Sequence, residues 1–470
     1  MSTFMSEYEN KLSNKIIYLY PLFISLFFLA ATPIAVIYTQ EWDFFENVIR
    51  ILTSPSKLVT DYFALGGLGS TMFNAAICGL FTNLIVYLSR AKADATILAG
   101  YMLVVAHCFY GLNFLNMWPP FFGILLYCWV TKKKVSENIH IAFFSTALAP
   151  FVSELCFRYA MENYDPSVVN VNWGGMALSL VCGLAIGFVI PALLPGTSAM
   201  HHGYSLYKAG LAIGILGIFL NAFMYSTLGV DKPINTYIVN EGYYSLPYGY
   251  RGFMNIFYII LFFVTFIVGF ILNKKSMRGY RELLQCTGHG TDFTDKFGMP
   301  VCMINIAIYG FAMLVYLNLV FILPSIFPGL PTGVGFTGTT AGIVLAALTF
   351  AADGQHIKNV FPIMVGYVVL FVVVVLICKV AGFDIPWTLS TQAYISSLAF
   401  ATGLCPIAGK YGFRYGVLAG FMSAIICAVT AEMHGGFVLY NGGFNAGLTA
   451  LVLIPILDFY QIKPIRESDL

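Results

Sequence analysis

The chain has 470 residues, 59% of them hydrophobic and only 10% charged, with a net charge of +2 at pH 7. Soluble domains carry roughly 25% charged residues, so a soluble protein is excluded, and the near-neutral balance gives no electrostatic basis for nucleic-acid partners. The ten cysteines form no CxxC pair and all but Cys286 lie in apolar runs; no disulfide framework, metal or cofactor is expected.

A polar tail, residues 1–15, precedes an apolar run over 16–38. That run exceeds the ~7–15 residues of a signal-peptide core, and its tail carries Glu7 and Glu9 besides Lys11 and Lys15; it reads as a first permanent helix. Further apolar runs follow at 63–89, 95–114, 117–131, 138–156, 175–195, 204–226, 252–272, 299–323, 338–353, 361–380, 387–405, 415–431 and 437–458. At ~20 residues per crossing, they predict an all-α integral membrane protein of about fourteen transmembrane helices. The short runs 117–131 and 338–353 are expected to be broken or re-entrant.

Basic residues orient this count. With the N-terminus in the cytoplasm, 17 Lys and Arg fall on inner segments and 6 on outer ones, with Lys208 inside a helix. Cytoplasmic loops hold such an excess, so both termini are expected in the cytoplasm of a multi-pass inner-membrane protein.

Two stretches nearly coincide: Met200-His-His-Gly-Tyr-Ser-Leu-Tyr-Lys-Ala-Gly-Leu-Ala-Ile-Gly214 and Met433-His-Gly-Gly-Phe-Val-Leu-Tyr-Asn-Gly-Gly-Phe-Asn-Ala-Gly447. Upstream, Gly111, Asn116, Pro119 and Gly123 match Gly354, Asn359, Pro362 and Gly366; Pro150 matches Pro406, and Gly183/Gly187 match Gly416/Gly420. The order is the same in both halves, which predicts a first repeat over 16–250 and a second over 251–462. A cytoplasmic linker at 273–298 follows the second repeat's first helix, and 463–470 forms a tail. Seven crossings per half invert the second repeat, the plan that supplies the two equivalent states of alternating access. His201 is then expected near the cytoplasmic face and His434 near the outer one.

Chemistry concentrates where the repeats carry polar residues. Asn116-x-x-Pro119 and Asn359-x-x-Pro362 read as helix breaks, because proline removes a backbone donor and disfavours helix before it. The Asn side chains are placed to cap the new start or to contact substrate. Tyr207, Lys208, Tyr440 and Asn441 open the helices after the His-Gly motifs, whose Gly210/Gly214 and Gly443/Gly447 suit close packing. Lys208 occupies the slot of Asn441; its ammonium suits an anionic substrate or a pairing with Glu154, and the residues leave both open. Glu154, Glu432 and Asp353 are the expected ion- or proton-coupling carboxylates, since ionisable groups beside apolar helices commonly line a cavity or proton path. Gly66–Asn74 and Thr337–Gly342 are small-residue openings that suit an anion or tight packing. No HExxH, GxSxG or P-loop occurs.

The segments Asn359–Gly366, Leu404–Gly409 and His434–Gly447, with weaker first-half copies, resemble a two-repeat bacterial membrane family catalogued only as a domain of unknown function. The resemblance implies the repeat and no activity. The expectation is a secondary active transporter, not an enzyme, moving a small polar or anionic solute with protons or sodium, its site lined by Asn116, Asn359, Lys208, Asn441, Tyr207, Tyr440, His201 and His434. The alternatives are a passive channel and a membrane-embedded lipid-processing enzyme. The expected partners are a small-molecule or ion substrate and the lipid bilayer, and assembly into a homo-oligomer is left open.

Overall fold

A computed structural model describes residues 7–58, 60–165, 168–232, 249–331 and 335–465, with side chains from Leu12 onward. The ends of both expected tails, 1–6 and 466–470, lie outside the described residues. Every regular element within them is helical. Ten segments are long and apolar enough to cross a membrane, five up to Thr227 and five from Tyr250 onward. Four other expected spans are shorter or broken. The run 95–114 is helical only over Ala95–His107, 117–131 over Trp118–Thr131 and 338–353 over Gly338–Ala347, while 387–405 becomes two short helices about a 3-10 turn.

The order of elements repeats. Long helices α1 (Glu7–Thr39) and α10 (Tyr250–Leu272) come first, and α2 (Phe44–Thr53) and α11 (Tyr280–Leu283) precede a kinked helix in each copy. In the first copy, α3 (Tyr62–Ser89) bends at Gly67, φ 84°. In the second, the bend separates α12 (Phe293–Phe297) from α13 (Met299–Ile326) at Gly298, φ 82°. Glycine adopts positive φ without steric penalty, so both kinks need it. Asp61 and Asp292 cap the two starts, accepting from Phe63 N at 3.0 Å and Thr294 N at 2.7 Å.

Next come the short helices α4 (Ala95–His107) and α14 (Gly338–Ala347), then non-helical turns, then α5 (Trp118–Thr131) and α15 (Ile357–Ala381). Asp94 and Thr337 cap α4 and α14, accepting from Ile97 N and Thr340 N. The pair α6 (Val135–Ser145) and α7 (Ala149–Phe157) joins through a 3-10 turn at Thr146–Leu148; α16 (Gln392–Ala401) and α17 (Cys405–Tyr411) join through one at Thr402–Leu404. Pro150 and Pro406 stand in the first turn of α7 and α17, where their missing N–H costs no helical bond. Finally α8 (Trp173–Met200) and α9 (Lys208–Asn221) match α18 (Phe413–Met433) and α19 (Asn441–Phe459).

Contacts between the copies are reciprocal, as in an isologous pair. Leu206 N donates to Gly403 O at 2.9 Å, and Leu439 N to Ala147 O at 2.9 Å. Helices α9 and α19 cross where Gly210 meets the backbone of Gly443. Within each copy α5 packs on α8 through Gly123 and Gly187, and α15 on α18 through Gly366 and Gly420; a Cβ at any of these would strike the facing backbone. Close approach of this kind supplies the van der Waals contact that holds helices together in lipid. Exposed Ile256, Phe263 and Ile271 on α10 give the bundle a lipid-compatible exterior.

Candidate functional site

The two expected helix-break asparagines are both consumed by the fold. Asn116 Nδ2 donates to Gly111 O at 2.9 Å and Ser153 Oγ at 2.7 Å, while its Oδ1 accepts from Asn113 N. Asn359 repeats this, donating to Gly354 O at 2.8 Å and accepting from His356 N at 3.0 Å. Asn359 thereby closes a capping box with His356 at the start of α15, whereas Asn116 bonds within the turn ahead of α5, whose N-cap Met117 has no side-chain cap.

The His-Gly motifs diverge. His434 is fully buried; its Nδ1 accepts from Val438 N at 3.4 Å and its Nε2 lies 2.9 Å from Asn441 Oδ1. Those partners make Nε2 the protonated nitrogen. In the first copy Lys208 replaces Asn441, and fully buried His201 has no hydrogen-bond partner on either nitrogen among the described residues. Lys208 is exposed rather than turned onto the histidine.

Lys208 opens α9 at a cavity of about 50 Å³, lined also by Thr96, Leu103, Phe144, Tyr207, Phe350, Asp353 and Tyr440. A water occupies ~30 Å³ of liquid, so the space holds one or two waters. Tyr207 is fixed by its hydroxyl bond to Ala346 O at 2.8 Å and by edge contact with Phe350, while the buried Tyr440 hydroxyl makes no hydrogen bond of regular geometry among the described residues, with Thr146 acting on it. Asp353 keeps some accessible surface because it lines this cavity, yet protein atoms enclose it. The charged groups that act on its carboxyl are Lys208, Asp292 and Asp94.

Thr96 also lines a wider vestibule of about 440 Å³ with Arg90, Lys92, Asp94, Ser136, Glu137 and His140. The equivalent place in the other copy is shut. Gln392, the counterpart of Ser136, donates to Thr339, the counterpart of Thr96, at 2.9 Å. Gly338 N donates to Asp61 Oδ1 at 2.7 Å. No such bond joins Thr96 to Ser136, or Ala95 to Asp292, among the described residues. Thr339 is 0% exposed, Ser396 (facing His140 in the alignment) 8%, Tyr110 (facing Asp353) 0% and Asn441 5%, whereas their four counterparts all retain exposure.

The remaining expected carboxylates lie elsewhere. Glu154 does not pair with Lys208: it forms a forked ion pair with Arg158, closest approach 2.6 Å, and accepts from Tyr225 OH at 2.9 Å. The helical i, i+4 spacing brings this pair together. Nearby, Lys57 stands 4.7 Å over the Phe437 ring, its pKa lowered to about 8 by burial against the opposing pull of Glu154. Glu432 is exposed at the end of α18 and reaches neither cluster. Sequence reasoning missed Thr96, His140, Phe350, Gln392 and Asp61, and singled out Thr339 only within the small-residue stretch Thr337–Gly342. The cap residues Asp94 and Thr337 extend the repeat alignment upstream and bring Thr96 into register with Thr339.

A family model described as Protein of unknown function (DUF1576) matches residues 40–226 and 272–459, and the chain belongs to that family. No curated protein and no solved structure matches it.

Proposed function

We propose that this member of the DUF1576 family is a secondary active transporter of a small polar or anionic solute, coupled to protons or sodium and working by alternating access. The observation that carries the reading is an asymmetry between matching copies. One His-Gly helix start opens through a cavity and Thr96 to a vestibule, while the other is closed by Gln392–Thr339 and Asp61–Gly338. Two copies of one element held in different states are what exchange between inward- and outward-open forms requires.

Charge supports an orientation. Arg90 and Lys92 edge the vestibule, and basic residues favour the cytoplasmic side, so the vestibule faces the cytoplasm. Counting the short segments α4, α5, α14 and α16–α17 with the ten long ones gives seven passes per copy and inverted topology. The short helices α4 and α14 meet protein rather than lipid, packing on each other where Gly342 meets Ala106 O. Broken backbone at membrane depth is tolerated under that condition.

The test is reconstitution into proteoliposomes, measuring uptake of small organic and inorganic anions and amino acids with imposed proton and sodium gradients. The expected result is saturable solute uptake that one of the two gradients drives. Flux down the solute gradient alone, indifferent to both ions, would replace the transporter with a passive channel.

A further inference from the structure

We propose that the Lys208 cavity binds the negatively charged group of a small oxyanion and that Asp353 makes this binding depend on uptake of one proton, so that anion and proton move together. The proposal rests on the transporter reading for the movement and on geometry for the binding.

Lys208 is the first residue of α9, and the cavity is lined by the helix's opening turn, Lys208 to Gly210. A helix start and an ammonium both favour negative charge. Independently, Tyr440 is 1% exposed and lines the cavity, and among the described residues its hydroxyl makes no hydrogen bond of regular geometry, with Thr146 acting on it. The second copy lacks this chemistry, because Asn441 stands for Lys208 and is committed to His434.

Asp353 lines the same cavity. While ionised, it balances the ammonium and repels an arriving anion; once protonated, it leaves Lys208 uncompensated and offers an O–H donor. Like charges in a site of this size strongly disfavour joint ionisation. A monoanion therefore enters with a proton, and the loaded cavity carries the same net charge as the empty one. The proton comes from bulk solution through the vestibule and resides on the Asp353 carboxyl. The other titratable groups interacting with Asp353 are Asp94 at the cap of α4, Asp292 at the cap of α12 and Cys302 of α13, with His140 of α6 in the vestibule beside Lys208. Asp94 and Asp292 serve as helix caps through backbone N–H bonds, and Asp353 is the carboxyl that lines the cavity itself.

The experiment is calorimetric titration of the purified full chain with formate, nitrate and inorganic phosphate at pH 5.5 and 8.5, in two buffers of different ionisation enthalpy. The proteins are wild type, Asp353→Asn, Lys208→Ala and His140→Gln. Wild type should bind at least one anion at pH 5.5 with little proton exchange, because the carboxyl already holds its proton there, and more weakly at pH 8.5, where binding of formate or nitrate should take up about one proton. Its affinity should fall by up to ~10-fold per pH unit once the carboxyl ionises. Asp353→Asn should bind equally at both pH values with no proton uptake, Lys208→Ala should lose at least tenfold in affinity at pH 5.5, and His140→Gln should behave as wild type. Failure of all three anions to bind at pH 5.5, pH-independent wild-type binding, or proton uptake that survives in Asp353→Asn would overturn the proposal. Proton-linked binding without flux in proteoliposomes would sink the transporter reading alone; ion-driven flux with pH-independent binding would sink this inference alone.

Discussion

Removing the Gln392 side chain should open the sealed side. Its bond to Thr339 spans 2.9 Å between side chains that are 8% and 0% exposed. Loss of a buried bond, with an orphaned hydroxyl left behind, costs ~1–3 kcal/mol. Because the bond exists only while that side is closed, the whole loss falls on one state, shifting the equilibrium by roughly 5- to 150-fold. The reporter is Ser396→Cys, labelled from outside by a membrane-impermeant maleimide. All described cysteines are buried except half-buried Cys182, so a Cys182→Ser background suffices. Gln392→Ala should raise the labelling rate at Ser396→Cys about fivefold or more, and slow labelling of His140→Cys from the vestibule side. An unchanged rate at Ser396→Cys, or faster labelling at both positions, would refute the two-state argument, the latter because it signals local loosening.

Three further outcomes follow from packing and pairing, each read as thermal unfolding in detergent. Arg158→Ala leaves Glu154, 1% exposed, without its cation, which should cost ~3–5 kcal/mol, and adding Glu154→Gln should recover part of that. Gly210→Ala places a Cβ 2.5 Å from the backbone of Gly443, whereas the aligned Gly443→Ala meets only the Tyr207 Cβ at 3.1 Å; the first should cost ~1–3 kcal/mol and the second clearly less. Asn359→Ala orphans Gly354 O and His356 N and should cost ~1–3 kcal/mol, with no rescue by added anion because Asn359 does not line the cavity.

The sequence by itself determined the membrane class, the duplication and the places where helices break. These are local properties: apolar run length, the φ freedom of glycine, the missing N–H of proline. Hence Asn116 and Asn359, Pro150 and Pro406, and the paired His-Gly motifs were all legible as matched features. Their partners were not. Whether Asn359 caps a turn or holds a solute depends on Gly354 O and His356 N lying within reach. Glu154 reads equally well as a coupling carboxylate until Arg158 and Tyr225 are seen upon it.

Only the tertiary structure decided which half is open. Thr96 and Thr339, Ser136 and Gln392, Asp353 and Tyr110 are aligned positions whose roles differ because one set lines cavities while in the other Gln392 bonds Thr339 and Tyr110 is buried. A repeat specifies two similar scaffolds; the state each occupies depends on a balance of a few non-local contacts. Such a balance, worth only a few kcal/mol, leaves no periodicity in the chain.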